Sequence, residues 1–144
     1  MTEVIFHTAV ANPIAHITKL CIKALSQSQR LVIVSSDASK LQEISDYMWS
    51  CEPTAFVPHC FWNAPDTLRD RSHIFLSDSP LHPDLPTQSL IHWGVEMPQG
   101  FASFEKCVEI IGIDPSSVSS GRLKWKTYQQ MGYPLKHVAL KSPV

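Results

Sequence analysis

The chain has 144 residues, of which 44% are hydrophobic and 17% charged, and its formal net charge is −1. This length and apolar content predict one folded domain over residues 1–144 and exclude a disordered chain. The apolar runs are too short for a membrane span, and no signal-peptide pattern opens the sequence. The four cysteines are scattered without a CxxC pair, which indicates a reduced, cytoplasmic protein without disulfides.

The first fifty residues predict alternating strands and helices. Residues 4–8 favour a strand, and Pro13 then opens a segment with apolar residues at helical spacing. The apolar run 31–34 is typical of a strand buried on both faces, and apolar spacing predicts a second helix over 38–50. This alternation predicts an α/β domain of Rossmann-like architecture, with a mostly parallel sheet covered by helices.

The middle of the chain predicts short strands joined by loops rich in Pro and Asp. Residues 55–58 favour a short extended piece, and residues 73–76 and 89–93 favour strands. Three prolines within residues 78–86 exclude a helix there.

The last third predicts two helices and a strand. Helical spacing of four apolar residues predicts an amphipathic helix over 101–111, ended by Gly112; these residues are Phe101, Phe104, Val108 and Ile111. Asp114 is placed to cap a last helix over 115–132, which has Pro at its first position. A final strand is expected at 136–140.

Sequence signals for nucleotide, metal or catalytic sites are missing. The turn at residues 7–13 contains no glycine, so the fold is expected to lack a nucleotide-binding glycine loop and to need no cofactor. Cys51, His59 and Cys60 do not have the paired spacing of zinc ligands, and no metal site is expected. No nucleophile motif or carboxylate pair is present, so the chain is expected not to be an enzyme; a hydrolase on this fold is the least favoured alternative.

Aromatic residues are concentrated at the end of the second helix and in the segment after it. Tyr47 and Trp49 are followed by Phe56, Phe61 and Trp62. Large aromatic side chains both fill core corners and dominate protein interfaces. The sequence therefore allows either a corner of the core or a protein-binding surface.

Basic charge is concentrated at the carboxyl end. Residues 115–144 contain five basic residues and no acidic residue, whereas the preceding part contains seven basic residues and all thirteen acidic residues. The five are Arg122, Lys124, Lys126, Lys136 and Lys141. Such a division indicates either an anionic partner or charge complementarity within the fold itself.

Cations and a large aromatic residue share one face of the predicted last helix. Trp125 lies three residues and Lys126 four residues after Arg122, so the three side chains share a face. Leu123 and Tyr128 are expected to face the core. This face suits a peptide with an acidic end or a nucleic-acid phosphate with a stacked base. A solvated basic face is the simpler interpretation.

The aromatic and basic segments resemble those of the chi subunits of bacterial DNA polymerase III holoenzyme. The resemblance rests on Trp49 followed by FVPH at residues 56–59, and on the pattern aromatic-Lys-x-Tyr-x3-Gly-aromatic at residues 125–133. The order and lengths of the predicted elements agree over essentially the whole chain, including the helix expected at 101–111. The chain is thus expected to form a single chi-like α/β domain.

The resemblance implies a non-catalytic adaptor in DNA replication and repair, located in the cytoplasm at the replisome, that contacts DNA only indirectly and is a monomer when isolated. One surface would hold the psi subunit, and through it the clamp loader, or instead an XPD-like helicase. The matching residues there are Trp49, Phe56, Val57, Pro58 and His59. The other surface would hold the acidic, Phe-terminated tail of single-stranded DNA-binding protein (SSB). The matching residues there are Ile111, Arg122, Trp125, Lys126 and Tyr128.

The sequence departs from the family pattern at two places. Val118 stands about where another lysine is expected, which predicts a weaker or less salt-sensitive hold on the tail. In residues 60–71, Trp62 and aspartates replace a glycine-rich, more basic stretch, so the psi-facing surface is expected to differ in detail. From the residues alone, direct binding of single-stranded nucleic acid, with stacking on Trp125 and Tyr128, is the alternative.

Overall fold

The structure, a computed structural model, describes residues 2–50, 58–69, 72–82 and 85–140. Within these residues the elements are β1 Glu3–Val10, α1 Pro13–Ser26, β2 Leu31–Val34, α2 Ala38–Ser50, β3 Cys60–Phe61, α3 Asp66–Arg69, β4 Ile74–Ser77, β5 Ser89–His92, the 3₁₀ turn η1 Phe101–Ser103, β6 Lys106–Gly112, α4 Pro115–Gln130 and β7 Leu135–Ala139. None of the helices in the described ranges has the length and apolar character needed to cross a membrane.

The strands form one seven-stranded sheet in the order β3-β4-β2-β5-β6-β1-β7, and every pair of neighbours is parallel. The predicted α/β class and parallel sheet are confirmed. Parallel neighbours require crossover connections, which carry the chain over the faces of the sheet. The sheet is therefore covered by helices and its inner strands are apolar on both sides.

Two groups of core residues lie on opposite faces of the sheet. Helices α1 and α2 pack on one face, against strand residues such as Ile33 and Val108. Helix α4 and the turn η1 pack on the other face, where Tyr128 contacts the layer that contains Phe6 and Leu90. The two faces alternate along each strand because successive side chains of a strand point in opposite directions.

Most of the predicted elements are confirmed, and the predicted helix over 38–50 coincides with α2. Asp114 caps α4 as expected: its carboxylate accepts a hydrogen bond from the backbone N–H of Ser117 at 3.0 Å, and Pro115 takes the first helical position. The short helix α3 was not predicted. Of the extended piece expected at 55–58, only Pro58 lies within the described residues.

The helix predicted over 101–111 is wrong. The segment forms the single turn η1 and then the strand β6, which lies between β5 and β1. Val108 packs on the α1 and α2 face and Ile111 on the α4 face, so these residues do not share the helical stripe that their spacing indicated. Gly112 is the last residue of β6 rather than a helix stop. The helical prediction was wrong because a strand buried on both faces has apolar residues at nearly every position. Apolar residues three and four positions apart therefore occur in such a strand as well as in a helix.

The half-buried side chains of His7 and His16 meet where β1 packs against α1. His7 Nδ1 lies 2.8 Å from His16 Nε2, so one ring donates a hydrogen bond to the other. Burial first, and then the charges of His16 and Lys106, lower the pKa of His7 to about 4.

We expect His7 to stay neutral down to about pH 4, whereas an unperturbed histidine becomes protonated near pH 6.5. An NMR titration that follows the imidazole signals of His7 measures this midpoint directly. His73, for which no such contact with another histidine is described, serves as the internal comparison. A His7 midpoint near 6.5 would contradict the buried pairing with His16.

Candidate protein-binding surfaces

A pocket of about 550 Å³ opens at the carboxyl ends of β1 and β6, beside the first turns of α4. We call it the α4 pocket. Its lining residues are Phe6, Thr8, Ala9, Ile111, Gly112, Ile113, Val118, Gly121, Arg122, Trp125 and His137. The carboxyl edge of a parallel sheet is where open α/β folds usually bind their ligands.

Close packing between α4 and β6 shapes the floor of the α4 pocket. Gly121 faces Ile111 so closely that a Cβ atom on it would lie 2.9 Å from Ile111 Cδ1. Trp125 is held edge-on against the ring of Phe6, with centroids 5.1 Å apart and planes at 78°. Phe6, Ile111 and Trp125 thus form an apolar, aromatic floor that the core supports from below.

The rim of the α4 pocket is polar. Arg122 is exposed, and within the part of the chain that the structure describes no acidic side chain forms an ion pair with it. On the opposite side Thr8 Oγ1 and His137 Nε2 share a hydrogen bond of 2.6 Å. A guanidinium beside an apolar floor is suited to a ligand that carries both a carboxylate and a hydrophobic ring.

The structure brings together three of the five residues predicted for the tail-binding surface. Ile111, Arg122 and Trp125 line the α4 pocket, whereas Lys126 is exposed on α4 but does not line it. Tyr128 is fully buried below the pocket, so it makes no surface contact.

Leu123, expected in the core with Tyr128, is instead 66% exposed. The prediction that Leu123 faces the core is therefore wrong. Val118, by contrast, lines the α4 pocket at the place where the family pattern suggested a lysine.

A buried polar network lies between α4 and the sheet, and sequence reasoning missed it. The carboxylate of Glu109 is fully buried on β6 and accepts three hydrogen bonds: from His92 Nδ1 at 2.6 Å, from Lys124 Nζ at 2.9 Å and from the Tyr128 hydroxyl at 2.6 Å. Lys124 also donates to the carbonyl of Gly94 at 2.6 Å. We call these side chains the Glu109 network. Lys124 is therefore a structural cation and does not add to the basic surface.

The Glu109 network determines the protonation states of Glu109 and Tyr128. Burial by itself raises the pKa of Glu109, but His92, Lys124 and Tyr128 together bring that pKa below its ordinary value. Burial, and after it the charge of Glu109, raises the pKa of Tyr128, so its hydroxyl stays protonated and donates. Tyr128 and Lys124 are both buried and hydrogen-bonded inside the fold. The stacking of a base on Tyr128, which the alternative of direct nucleic-acid binding needs, is therefore contradicted.

The close contact at Gly121 gives a test of the α4 pocket. A Gly121→Ala substitution should reduce the affinity of any ligand that contacts the floor, because the new methyl group pushes Ile111 toward the cavity. We expect the free energy of unfolding to fall by at most about 2 kcal/mol, since the gain in helix propensity of about 1 kcal/mol offsets only part of an overpacking cost of about 1–3 kcal/mol. Isothermal titration and urea unfolding measure the two effects separately. Unchanged affinity for the tail peptide would show that Ile111 is not part of the ligand site.

The second predicted surface lies at the end of α2. Trp49 is 65% exposed, and its ring lies edge-on to His59 with centroids 6.1 Å apart. His59 shares a hydrogen bond of 2.8 Å with Ser45 Oγ, and Pro58 is exposed beside it. Phe56 and Val57, predicted for the same surface, lie outside the described residues. Trp49, Pro58 and His59 define what we call the α2 surface.

The α2 surface and the α4 pocket lie at opposite edges of the sheet. Helix α2 starts after the carboxyl end of β2 and returns toward the amino ends of the strands, where Trp49 lies in its last turn. The α4 pocket opens at the carboxyl ends of β1 and β6. The two surfaces are therefore separate in the fold.

The cysteine and histidine residues considered as metal ligands have other surroundings. Cys60 is a buried free thiol, His59 is bonded to Ser45, and Cys51 lies outside the described residues. Across the described ranges no group of three or more His, Cys, Asp or Glu side chains is arranged to hold a metal ion.

Comparisons with solved structures identify the fold. A chain in the crystal structure of the E. coli DEAD-box protein SrmB bound to regulator of ribonuclease activity A superposes with a TM-score of 0.59 at 12% identity, covering 100% of this chain and 98% of that chain. A chain in the structure of the S. cerevisiae Dbp5 C-terminal domain bound to Gle1 gives a TM-score of 0.60 at 10% identity, over 96% and 90% of the two chains. At such identities the likeness concerns the fold alone.

Sequence comparisons identify the family. The chain is 28% identical over 141 residues to DNA polymerase III subunit chi of Pseudomonas aeruginosa, covering 94% of this chain and 95% of that protein. The family described as DNA polymerase III chi subunit, HolC, matches residues 1–136. The match includes the residues of the α2 surface and all residues of the α4 pocket except His137. The chain belongs to the DNA polymerase III chi subunit family.

Proposed function

We propose that this chain links SSB to the clamp loader, holding the acidic C-terminal tail of SSB in the α4 pocket and the psi subunit on the α2 surface. Membership of the family makes the chain an accessory subunit of the DNA polymerase III complex, with a role in DNA replication. The finer assignment rests on one observation above others. An exposed guanidinium, Arg122, borders an apolar floor formed by Ile111 and Trp125.

The tail that we assign to the α4 pocket combines the two chemistries that the pocket offers. Its terminal carboxylate, or an aspartate upstream, pairs with Arg122, since guanidinium and carboxylate form strong charge-assisted hydrogen bonds. Its terminal phenylalanine ring lies on the floor beside Trp125, where ring packing adds to the burial of apolar area. Lys126, one residue along α4, contributes long-range attraction for an acidic peptide rather than a contact inside the cavity.

Val118 gives this pocket a more apolar character than the family pattern suggests. A valine in place of a lysine removes one cation from the rim, while it adds apolar area to the wall. Ion pairs weaken with added salt and apolar contacts do not. Tail binding in this chain therefore depends more on the terminal ring and less on ionic strength.

The α2 surface is assigned to psi because its exposed aromatic residue is of the type that dominates protein interfaces. Trp49 exposes 65% of its surface, and aromatic side chains at the centre of an interface carry much of the binding energy. An XPD-like helicase that used the same surface would compete with psi.

The opposite positions of the two surfaces support a bridging mechanism. SSB presents several tails on one stretch of single-stranded DNA, so a chain bound by one tail stays at a high local concentration near the others. Recruitment of the clamp loader then needs no covalent step and no direct contact of this chain with DNA.

A three-component recruitment assay tests the proposal. SSB bound to immobilised single-stranded DNA should capture a psi-containing clamp loader only when this chain is present. Arg122→Ala should reduce capture by weakening the SSB contact, and Trp49→Ala should reduce it by weakening the psi contact. SSB that lacks its C-terminal tail is the control. Equal capture with tail-less SSB would contradict the proposed bridge.

A further inference from the structure

Strand β7 forms one edge of the sheet and pairs with β1 on its inner side. The residues from Lys136 to Ala139 are exposed. Within the part of the chain that the structure describes, no strand pairs with the outer side of β7. An open edge of this kind can be extended by a strand of a protein partner, which forms main-chain hydrogen bonds with it.

The hydrogen bonds between β1 and β7 determine which backbone groups point outward. The N–H of Val4 donates to the carbonyl of Pro134, and the N–H of Leu140 donates to the carbonyl of Thr8, both at 3.0 Å. Because the strands are parallel and pleated, alternate residues of β7 bond to β1 and the residues between them point their N–H and C=O groups away from it. The outward-pointing residues are Leu135, His137 and Ala139. We call their outward backbone groups the β7 edge.

The β7 edge is continuous with the α4 pocket. The side chain of His137 lines the pocket, shares the hydrogen bond with Thr8 on its rim, and lies edge-on to Trp125 with ring centroids 6.2 Å apart. The pocket opens at the carboxyl ends of the strands. A peptide whose last residue lies in the pocket can therefore continue along β7, and its direction is then parallel to β7.

The charges beside the β7 edge favour an acidic strand. Residues 115–144, which include α4 and β7, contain no acidic residue. Arg122 and Lys126 are exposed on α4, and Lys136 is exposed on β7, with its Nζ atom 3.2 Å from the carboxylate of Glu3 on β1. A second copy of the chain would bring two edges without acidic residues together, and such like-charged pairing is unfavourable.

We propose that the β7 edge binds the acidic segment that precedes the terminal phenylalanine of the SSB tail, as an added strand parallel to β7. The inference rests on the proposed function, because the last residue of the same tail occupies the α4 pocket. The main chain of the segment bonds to the outward groups of His137 and Ala139. Its carboxylates lie beside the basic side chains of α4 and β7, so affinity comes from the backbone and the preference for an acidic sequence comes from charge.

Strand spacing sets the length of tail that the site needs. Neighbouring strands lie about 4.8 Å apart, so an added strand would lie about 10 Å from β1. About three extended residues span that distance. A terminal Ile-Pro-Phe therefore reaches from the β7 edge into the α4 pocket, and its proline, which has no N–H, falls outside the pairing. Since β7 has five residues, the complete site takes about eight residues of tail.

Amide exchange measured by NMR tests the proposal with an acidic peptide of about nine residues that ends in Ile-Pro-Phe. At about ten times its Kd, this peptide should slow exchange of the His137 and Ala139 amides at least about fivefold. The tetrapeptide Asp-Ile-Pro-Phe, at ten times its own Kd, should leave them unchanged. The amides of Lys136 and Val138, which face β1, are the internal control.

The indole signal of Trp125 reports pocket binding separately in the same titrations. Saturable shifts of Trp125 without slower exchange at His137 and Ala139 would overturn the added strand and leave the proposed function intact. No shift of Trp125 with either peptide would overturn both. Dimerisation of the free protein with protection of the same two amides would show that a second copy covers the β7 edge, and would also overturn the proposal.

Two isomeric peptides test the main-chain pairing. In a strand, only alternate residues direct their N–H groups toward one neighbour. N-methylation of every second residue of the acidic segment should therefore weaken binding at least about fivefold when it blocks the N–H groups that face β7, and much less when it blocks the others. The two peptides have the same composition and charge. Equal affinities of the two would overturn the proposal.

Ala139→Pro tests the edge from the side of the protein. Proline removes the outward N–H at this position, but no hydrogen bond to β1 is lost. The nine-residue peptide should bind about fivefold more weakly, whereas the tetrapeptide should bind as to the parent. Undiminished affinity for the longer peptide would overturn the proposal. Should this variant not fold, the two methylated peptides decide on the parent protein.

Discussion

A Lys124→Met substitution should lower the free energy of unfolding by about 3–5 kcal/mol, as expected when one partner of a buried ion pair is removed. The loss is large because Glu109 would remain as a fully buried carboxylate without its cation. The carbonyl of Gly94 would also lose its hydrogen-bond donor. Methionine fills a similar volume, so the effect reports charge and hydrogen bonding more than packing. Urea unfolding followed by circular dichroism measures it.

Lys126→Met is the matched control, since Lys126 lies on the same helix but is exposed. It should change the free energy of unfolding by less than about 0.5 kcal/mol. The double substitution Lys124→Met with Glu109→Gln should recover part of the stability lost by Lys124→Met, because no charge is then left unpaired in the core. Equal losses for Lys124→Met and Lys126→Met would show that the Glu109 network does not stabilise the fold.

Replacement of Arg122 with alanine should weaken binding of the acidic tail peptide by about 1–3 kcal/mol, the range expected for a charge-assisted hydrogen bond. Arg122 borders the α4 pocket and is exposed, so the fold should be little affected. Isothermal titration of the peptide measures the loss.

Lys126→Ala is the comparison for Arg122→Ala, because Lys126 carries the same charge one residue beyond the pocket. It should cost less affinity, and its effect should disappear at moderate salt. Binding of psi should be unchanged in both variants. If Arg122→Ala bound the tail as tightly as the parent, the assignment of the α4 pocket would be wrong.

Local patterns predicted most of the fold because the relevant forces act over a few residues. Asp114 followed by Pro is sufficient to start α4, and the apolar run of β2 required a strand buried on both faces. The region of β6 was mistaken for a helix since its identity depends on pairing with β5 and β1, which are distant in sequence. Tertiary pairing outweighed the local spacing there.

The candidate sites were predictable only in part, for a similar reason. Helical spacing placed Arg122 and Trp125 together, and the family resemblance added Ile111, which the fold brings to the same pocket. Neither signal indicated that Lys124 turns inward, because its partner Glu109 lies on a different element. One sign was available: Glu109 stands alone among apolar residues, and a lone acidic residue in a buried strand needs a cation nearby.

Tail recognition is most directly measured by fluorescence anisotropy with a labelled acidic peptide that ends in Ile-Pro-Phe or Asp-Pro-Phe, titrated with the protein at low and moderate salt. The same peptide without its terminal phenylalanine is the control. The proposed function predicts micromolar binding that is lost with the phenylalanine and falls only moderately with salt, because Arg122 and the apolar floor act together. No binding, or equal binding of the two peptides, would contradict the assignment of the α4 pocket to the SSB tail.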